Sequence, residues 1–215
     1  MCAARPWEGR RCPAVRERDP QARGVPRSVL TVAVLVAATA VVLGVLLARA
    51  GMNAQGPDAI GIAEGQRAPD FTIVDVNGTA WNLAAHRGQV VLIDFMGVRC
   101  ESCEREMASD ALQSVFNRHA VHGLAFLSID VGGALGTESG LEAWRFMQGF
   151  PPGGTRQWGP AEWPIALDLP RVQTTYQATA FPTKYLLDRT GHIVWKHEGI
   201  VTEADLDARI QALLV

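Results

Sequence analysis

The run Val90–Met96, "VVLIDFM", gives way at Cys100 to a different period, and this change constrains the fold more than any other feature of the chain. Only Asp94 interrupts its apolar character, the pattern of a strand buried on both faces. Beyond Cys100, residues Met107, Ala111, Leu112, Val115 and Phe116 follow i, i+4, i+5, i+8, i+9, which is one face of a helix. A second strand-like run, Leu124–Asp130 ("LAFLSID"), comes next. Strand, helix and strand in that order predict a parallel pair joined by a right-handed crossover.

The flanking segments extend this unit. "DFTIVDVNGTAWNL" alternates around Asn77-Gly78 and predicts a β-hairpin. "ESGLEAWRFMQGF" has helical period, Pro151–Pro164 is irregular, "IALDL" is a short strand, and "VQTTYQA" allows one or two helical turns. "TKYLLD" and "HIVWKHEG", separated by Arg189-Thr190-Gly191, read as a second hairpin. "TEADLDARIQALLV" closes the chain as an amphipathic helix with Thr202 and Asp205 in capping-box spacing. The predicted class is α/β, a mixed sheet flanked by helices with an N-terminal β-hairpin extension. Trp158 and Trp163 in the irregular stretch either mark a partner surface or serve as satellite core, the commoner role of isolated aromatics.

Charge divides the chain. Residues 1–27 hold seven arginines against three acids, whereas residues 50–215 carry 12 basic and 19 acidic residues, a net of −7. An acidic domain without a long basic run argues against nucleic-acid binding. Ser28–Ala48 is 21 residues without a charge, long enough to cross a bilayer core of ~30 Å as a helix. Ala48-Arg49-Ala50 has the small-x-small form of a cleavage site, but the apolar run exceeds the ~7–15 residues of a signal h-region. The segment therefore reads as an uncleaved anchor. The arginines before it place residues 1–27 in the cytoplasm and the domain outside. The predicted organisation is a basic disordered tail (1–27), a transmembrane anchor (28–48), a linker (49–66) and a folded domain (67–215), in a single-pass cell-membrane protein.

The four cysteines separate accordingly. Cys2 and Cys12 fall on the cytoplasmic side and Cys100 and Cys103 outside, so a zinc site using all four would have to cross the membrane. Neither a metal nor a cofactor is expected. Cys100 stands at or near a helix N-cap with Cys103 one turn in. Free N–H groups and the helix dipole at that end stabilise an anion, which lowers the Cys100 thiolate pKa from ~8.5. A static disulfide is disfavoured, because a four-residue ring at a helix start is strained and closes only a small loop. A redox couple remains. His86, His119, His122, His192 and His197 are scattered and read as solvated or capping residues.

"VVLIDFMGVRCESC" followed by "AFPTKYLLDRTGHIV" resembles the thioredoxin fold, and the lead-in "APDFTIVDVNGTAWNLAAHRGQVVLIDF" is similar to the TlpA/ResA branch of membrane-anchored thiol–disulfide oxidoreductases. The resemblance covers roughly residues 67–215. It implies that Phe181–Pro182 is a cis bond beside the cysteines and forms a substrate platform. It also implies two candidate proton-handling acids, Asp94, six residues before Cys100, and Glu106, three after Cys103. Burial would raise either pKa toward neutrality, suiting exchange with Cys103. Arg99 stands where the fold commonly has Trp; a cation there lowers the thiolate pKa and alters docking, while Glu101 opposes it. The implied activity is reduction of disulfides in client proteins outside the membrane, of the cytochrome c maturation or oxidase assembly type, with a membrane thiol electron donor. Cys100 would attack and Cys103 resolve.

Other readings compete. A peroxiredoxin-like (AhpC/TSA) thiol peroxidase shares the lead-in, but "FMGVRC" lacks the Thr or Pro expected before a peroxidatic cysteine. A Sco-like copper chaperone asks for Cys-x-x-x-Cys, one residue longer than found. A DsbA-like oxidase carries a large helical insertion, for which the Pro/Gly-rich residues 132–163 are too short.

Overall fold

The computed structural model describes residues 36–44 and 59–214. Residues 36–44 form a helix, α1, with Val36, Val41, Val42 and Leu43 exposed and Thr39 Oγ1 donating to Val36 O at 2.9 Å. The tail 1–27, the remainder of the predicted anchor and residues 49–58 of the predicted linker lie outside the described residues. No described helix is long and apolar enough to cross a membrane.

In the domain, β1 (Thr72–Val74) and β2 (Ala80–Asn82) pair antiparallel, Ile73 opposite Trp81. Asp75 Oδ1 accepts the N–H groups of Asn77 and Thr79, and Gly78 takes the positive φ of 85° that the turn requires. Next come β3 (Val90–Met96), α2 (Glu101–Ala108), α3 (Ala111–His119), β4 (Leu124–Asp130), α4 (Gly132–Leu135), α5 (Gly140–Met147), β5 (Ile165–Leu167), α6 (Val172–Thr175), β6 (Thr183–Leu187), β7 (Ile193–Glu198) and α7 (Glu203–Leu214). The five-stranded sheet has the order β5-β4-β3-β6-β7. β3, β4 and β5 run parallel, whereas β6 is antiparallel to β3 and β7 to β6. The parallel pair and both hairpins are as the periodicity predicts.

β3 lies at the centre and buries both faces. Leu92 and Met96 join Cys103, Met107, Val115, Leu206 and Ile210 in one core, under α2, α3 and α7. Ile93 and Phe95 join Ile73, Trp81, Val172, Tyr176 and Tyr185 in the other, under the small hairpin and α6. Burying each large apolar side chain contributes about 1.5–3 kcal/mol, so β3, buried along all seven residues, is a major source of the domain's stability. Asp94 follows the alternation of Leu92 and Met96 and faces the α2 side.

Two local readings change, and one open choice is decided. The helical face from Cys100 to Phe116 belongs to two helices. Ser109 closes α2, its hydroxyl donating to Glu106 O at 2.6 Å, and Asp110 adopts φ 57° before α3 begins. Hydroxyl back-bonding and the tolerance of Asp for left-handed backbone explain the break, which periodicity alone does not register. Residues 59–66 are hydrogen-bonded to the domain: Gly65 N–H donates to Ile193 O at 2.8 Å and Ile193 N–H to Gln66 O at 2.9 Å. Trp158 and Trp163 are core. Trp158 Nε1 donates to Phe146 O at 3.2 Å, and Trp163 stacks on Phe126 at 4.4 Å between ring centres.

Candidate active site

The chain leaves the buried end of β3 and turns through Gly97–Cys100, with Cys100 N–H donating to Gly97 O at 3.1 Å. Cys100 is the N-cap of α2, with extended backbone at φ −100°. Its sulfur accepts the Cys103 N–H at 3.3 Å, so a free N–H of the first helical turn points at the atom that would carry a thiolate charge. Cys100 and Cys103 are joined as a disulfide with their Cα atoms 5.2 Å apart. The two sulfurs differ in access: Cys100 is half-buried, whereas Cys103 is 2% exposed and packs in the core.

The Phe181–Pro182 bond is cis, as the resemblance implies, and Phe181 O lies 3.7 Å from Cys100 Sγ. Phe181 is half-buried and Pro182 buried. The C-terminal hairpin thus brings residues 81 positions away in sequence to the nucleophile's edge.

Arg99 is exposed, and its Nη2 lies 2.5 Å from Glu142 Oε1 on α5. Ser139 and Glu142 form a capping box at the start of that helix, and the Ser139 hydroxyl and N–H together hold the Glu142 carboxyl below its ordinary value. The Arg99 charge is therefore already engaged by a carboxylate. One turn earlier, Glu138 accepts the backbone N–H of Arg99 at 3.1 Å and that of Val98 at 3.3 Å. The segment from Glu138 to Glu142 clips the loop that presents Cys100. Glu101 is exposed and Glu104 half-buried in the first turn of α2.

Asp94 and Glu106, predicted as rivals, meet at one cation. Lys184 of β6 stands opposite Asp94 in the strand register, and its Nζ lies 3.2 Å from Asp94 Oδ1 and 2.6 Å from Glu106 Oε2. All three side chains are buried. Glu106 Oε1 accepts the Val201 N–H at 2.9 Å, and Asp94 Oδ2 accepts the Ser128 hydroxyl at 3.3 Å, with Trp163 Nε1 donating to Ser128 Oγ at 2.9 Å. Burial pushes the Glu106 carboxyl up; Lys184 opposes that shift and Asp94 adds to it. Glu106 sits on α2 one turn beyond Cys103, and both are buried on that helix together with Met107.

Lys184 carries no warning in isolation, since a lysine within "TKYLL" reads as the exposed side of an edge strand. Its burial follows from β6 lying between β3 and β7, which only the assembled sheet reveals. Among the described residues, no group of three or more His, Cys, Asp or Glu side chains is placed to hold a metal ion.

The AhpC/TSA family model matches residues 64–196. The thiol-disulfide oxidoreductase ResA of Geobacillus kaustophilus is 29% identical over 183 residues, covering 83% of this chain and 95% of that protein. ResA of Bacillus subtilis is 28% identical, covering 66% of this chain and 72% of its own length. Among solved structures, a thioredoxin-family thiol:disulfide interchange protein from Chlorobium tepidum superposes with a TM-score of 0.56 at 22% identity, over 69% of this chain and 96% of that one. The thioredoxin domain of a thiol-disulfide oxidoreductase from Bacteroides vulgatus does so with a TM-score of 0.56 at 23% identity, over 72% and 100%. These structures share the fold. The family model alone does not separate oxidoreductase from peroxidase, but the named relatives fall on the oxidoreductase side. With more than half of its length matched, the chain belongs to the AhpC/TSA family, as a ResA/TlpA-like protein of thioredoxin fold.

Proposed function

We propose that this ResA-like thiol–disulfide oxidoreductase is anchored in the cell membrane with its domain outside, where it reduces disulfides of client proteins. The observation that carries the reading is the unequal access of two bonded sulfurs, Cys100 reachable beside Phe181 O and Cys103 buried behind it. In the reduced protein, the Cys100 thiolate attacks one sulfur of a client disulfide lying along Phe181–Pro182. A Cys100–client bond forms, the client S–S bond breaks, and the freed client thiolate takes up a proton. Cys103 then gives its proton to a neighbouring carboxylate and attacks Cys100 Sγ. The Cys100–Cys103 disulfide forms and the second client sulfur leaves as a thiolate. Two electrons have passed to the client, and a membrane thiol donor returns them. The sulfur pair carries these electrons itself, so the step requires no cofactor.

Glu106 is the acid best placed for Cys103. It is buried on the same helix one turn away, and its raised pKa makes its carboxylate a stronger base than an exposed one. Asp94 tunes it through Lys184. Clients of the cytochrome c maturation or oxidase assembly type remain the favoured class, on resemblance to the ResA/TlpA branch. The uncharged run 28–48 behind seven arginines supports the anchor and its orientation.

Cys103→Ser should accumulate mixed disulfides through Cys100 with oxidised clients, and Cys100→Ser should not. A reactive Cys100 that forms no such adducts would defeat the mechanism. A domain reduction potential near thioredoxin's ~ −270 mV supports a reductant, and one near ~ −120 mV an oxidant. The family match keeps a peroxidase in view. Against it, the Arg99 guanidinium is engaged by Glu142 and the N–H groups of Val98 and Arg99 by Glu138. Rapid peroxide consumption by the reduced protein would reverse that preference.

A further inference from the structure

Asp130 closes β4 opposite Met96 of β3 and is fully buried. Its Oδ1 accepts the Gly132 N–H at 3.1 Å, and the Val98 N–H also favours the charged carboxylate, whereas Oδ2 has no hydrogen-bond partner within range. The neighbour facing it is a second carboxyl group, that of Glu138. Glu138 in turn folds over Gly132, where any Cβ would collide with its carboxylate, so this close approach needs a glycine. Two carboxyl groups share such a space only when one carries a proton, which supplies the donor that Asp130 lacks. Burial first, and Glu138 second, push Asp130 up to about 8.

The other charged groups nearby are spoken for. Arg99, on the loop before α2, pairs with Glu142 of α5. Asp168, after β5, accepts the N–H groups of Val172 and Gln173 at 2.6 and 2.8 Å, with Arg171 as its neighbouring cation. Glu138 spends both its oxygens on Val98 and Arg99 N–H, in the turn that delivers Cys100.

We propose that Glu138 is a positioning residue for Cys100, and that the single proton it shares with Asp130 sets how firmly Arg99 is held. This rests on Cys100 being the attacking sulfur. With one proton, the Asp130 hydroxyl donates to Glu138, and the Glu138 carboxylate accepts from the loop. When that proton leaves, two adjacent charges repel. Asp130 is locked at the end of a central strand, so the half-buried Glu138 gives way; the Arg99 N–H loses its acceptor, while the Val98 N–H keeps the Asp130 carboxylate as a second one. The loop then holds Cys100 less tightly against Phe181 O.

Amide hydrogen exchange of the oxidised full-length chain tests this directly. The protection factor of Arg99, corrected for intrinsic pH dependence, should fall about 10-fold between roughly pH 7 and 9, while those of Val98 and of Ile93 in β3 hold. In Asp130→Asn the amide side chain can still donate to Glu138, and the fall should vanish. If that variant does not fold, Glu138→Gln removes the shared ionisation from the more exposed side and should also abolish the fall. In the Cys103→Ser background, Glu138→Ala should slow formation of the Cys100–client adduct about 10-fold, and Glu138→Gln should largely restore it. Arg99 protection that does not change with pH in the wild type, or that falls equally in the variants, would overturn the shared proton. Absence of any adduct in that background without further substitution would overturn the role of Cys100, and with it that of Glu138, even where the Arg99 amide titrates as expected.

Discussion

Lys184 Nζ lies 2.6 Å from Glu106 Oε2, and neither side chain reaches solvent. Asp94 completes the group from the opposite strand at 3.2 Å. Three ionisable groups with one positive charge cannot all be charged and balanced. The arrangement therefore favours a proton on one acid, and the raised Glu106 pKa marks where it is held most readily. A buried pair of this kind need not add net stability, because desolvation offsets the attraction. Its chemical consequence is a carboxyl group that takes up a proton more readily than an exposed one, on the same helix as Cys103.

Lys184→Met should destabilise the domain by about 3–5 kcal/mol at pH 8, since two buried carboxylates lose their counter-charge. At pH 5 Glu106, raised by burial, protonates more easily and the loss should shrink. Denaturant unfolding at the two pH values checks this. An equal loss at both would mean that Lys184 acts through packing alone.

Glu106→Gln should slow resolution of the Cys100–client disulfide by about 100-fold around pH 7 and flatten its pH dependence. The amide can still accept from Val201 N–H through its oxygen, so folding is retained. Asp94→Asn should have the smaller effect. Quench-flow measurement of client release from a preformed adduct, across pH 6–9, separates the two. The reverse order would transfer the proton-handling role to Asp94.

Folding stability should decline with rising pH between about 4 and 8. Asp130 in the folded domain keeps its proton up to about pH 8, whereas the unfolded chain releases it near an ordinary carboxylate value of about 3.9. The unfolded state binds fewer protons throughout that window, so ionisation favours unfolding there and the trend levels off beyond about pH 8. Glu106, also raised, acts in the same sense. Asp130→Asn should make the decline visibly shallower in unfolding free energies measured at several pH values. An unchanged slope would rule out Asp130 as a source.

Arg99→Ala should raise the Cys100 thiolate pKa by less than about half a unit, because the guanidinium is exposed and paired with Glu142. Thiolate absorbance of the reduced Cys103→Ser protein reads this. A rise of more than about one unit would show that Arg99 turns from Glu142 to Cys100 on reduction.

Much of the fold was legible because it rests on local patterns. The alternation around Asn77-Gly78, the apolar run from Val90 to Met96 and the turn at Arg189–Gly191 each specify an element and its buried face. Cys100 as N-cap and Cys103 one turn in follow from the change of period and the spacing, whereas the burial of Cys103 is decided by how α2 packs on the core. The hidden elements are those decided by a single residue's backbone, such as Asp110, whose left-handed conformation splits a continuous helical stripe into α2 and α3.

By itself, then, the sequence determined the order of strands and helices and the position of the cysteine pair at a helix start; the proline facing that pair was implied by the resemblance to the thioredoxin fold. Periodicity and spacing are properties of neighbouring residues. What only the tertiary structure decided is which charges meet: Asp94 and Glu106 on one lysine 90 and 78 positions away, and Asp130 against Glu138 behind the cysteine loop. Electrostatic energy in a buried site depends on distance and desolvation in space, and both are set by strand register and helix docking rather than by separation along the chain.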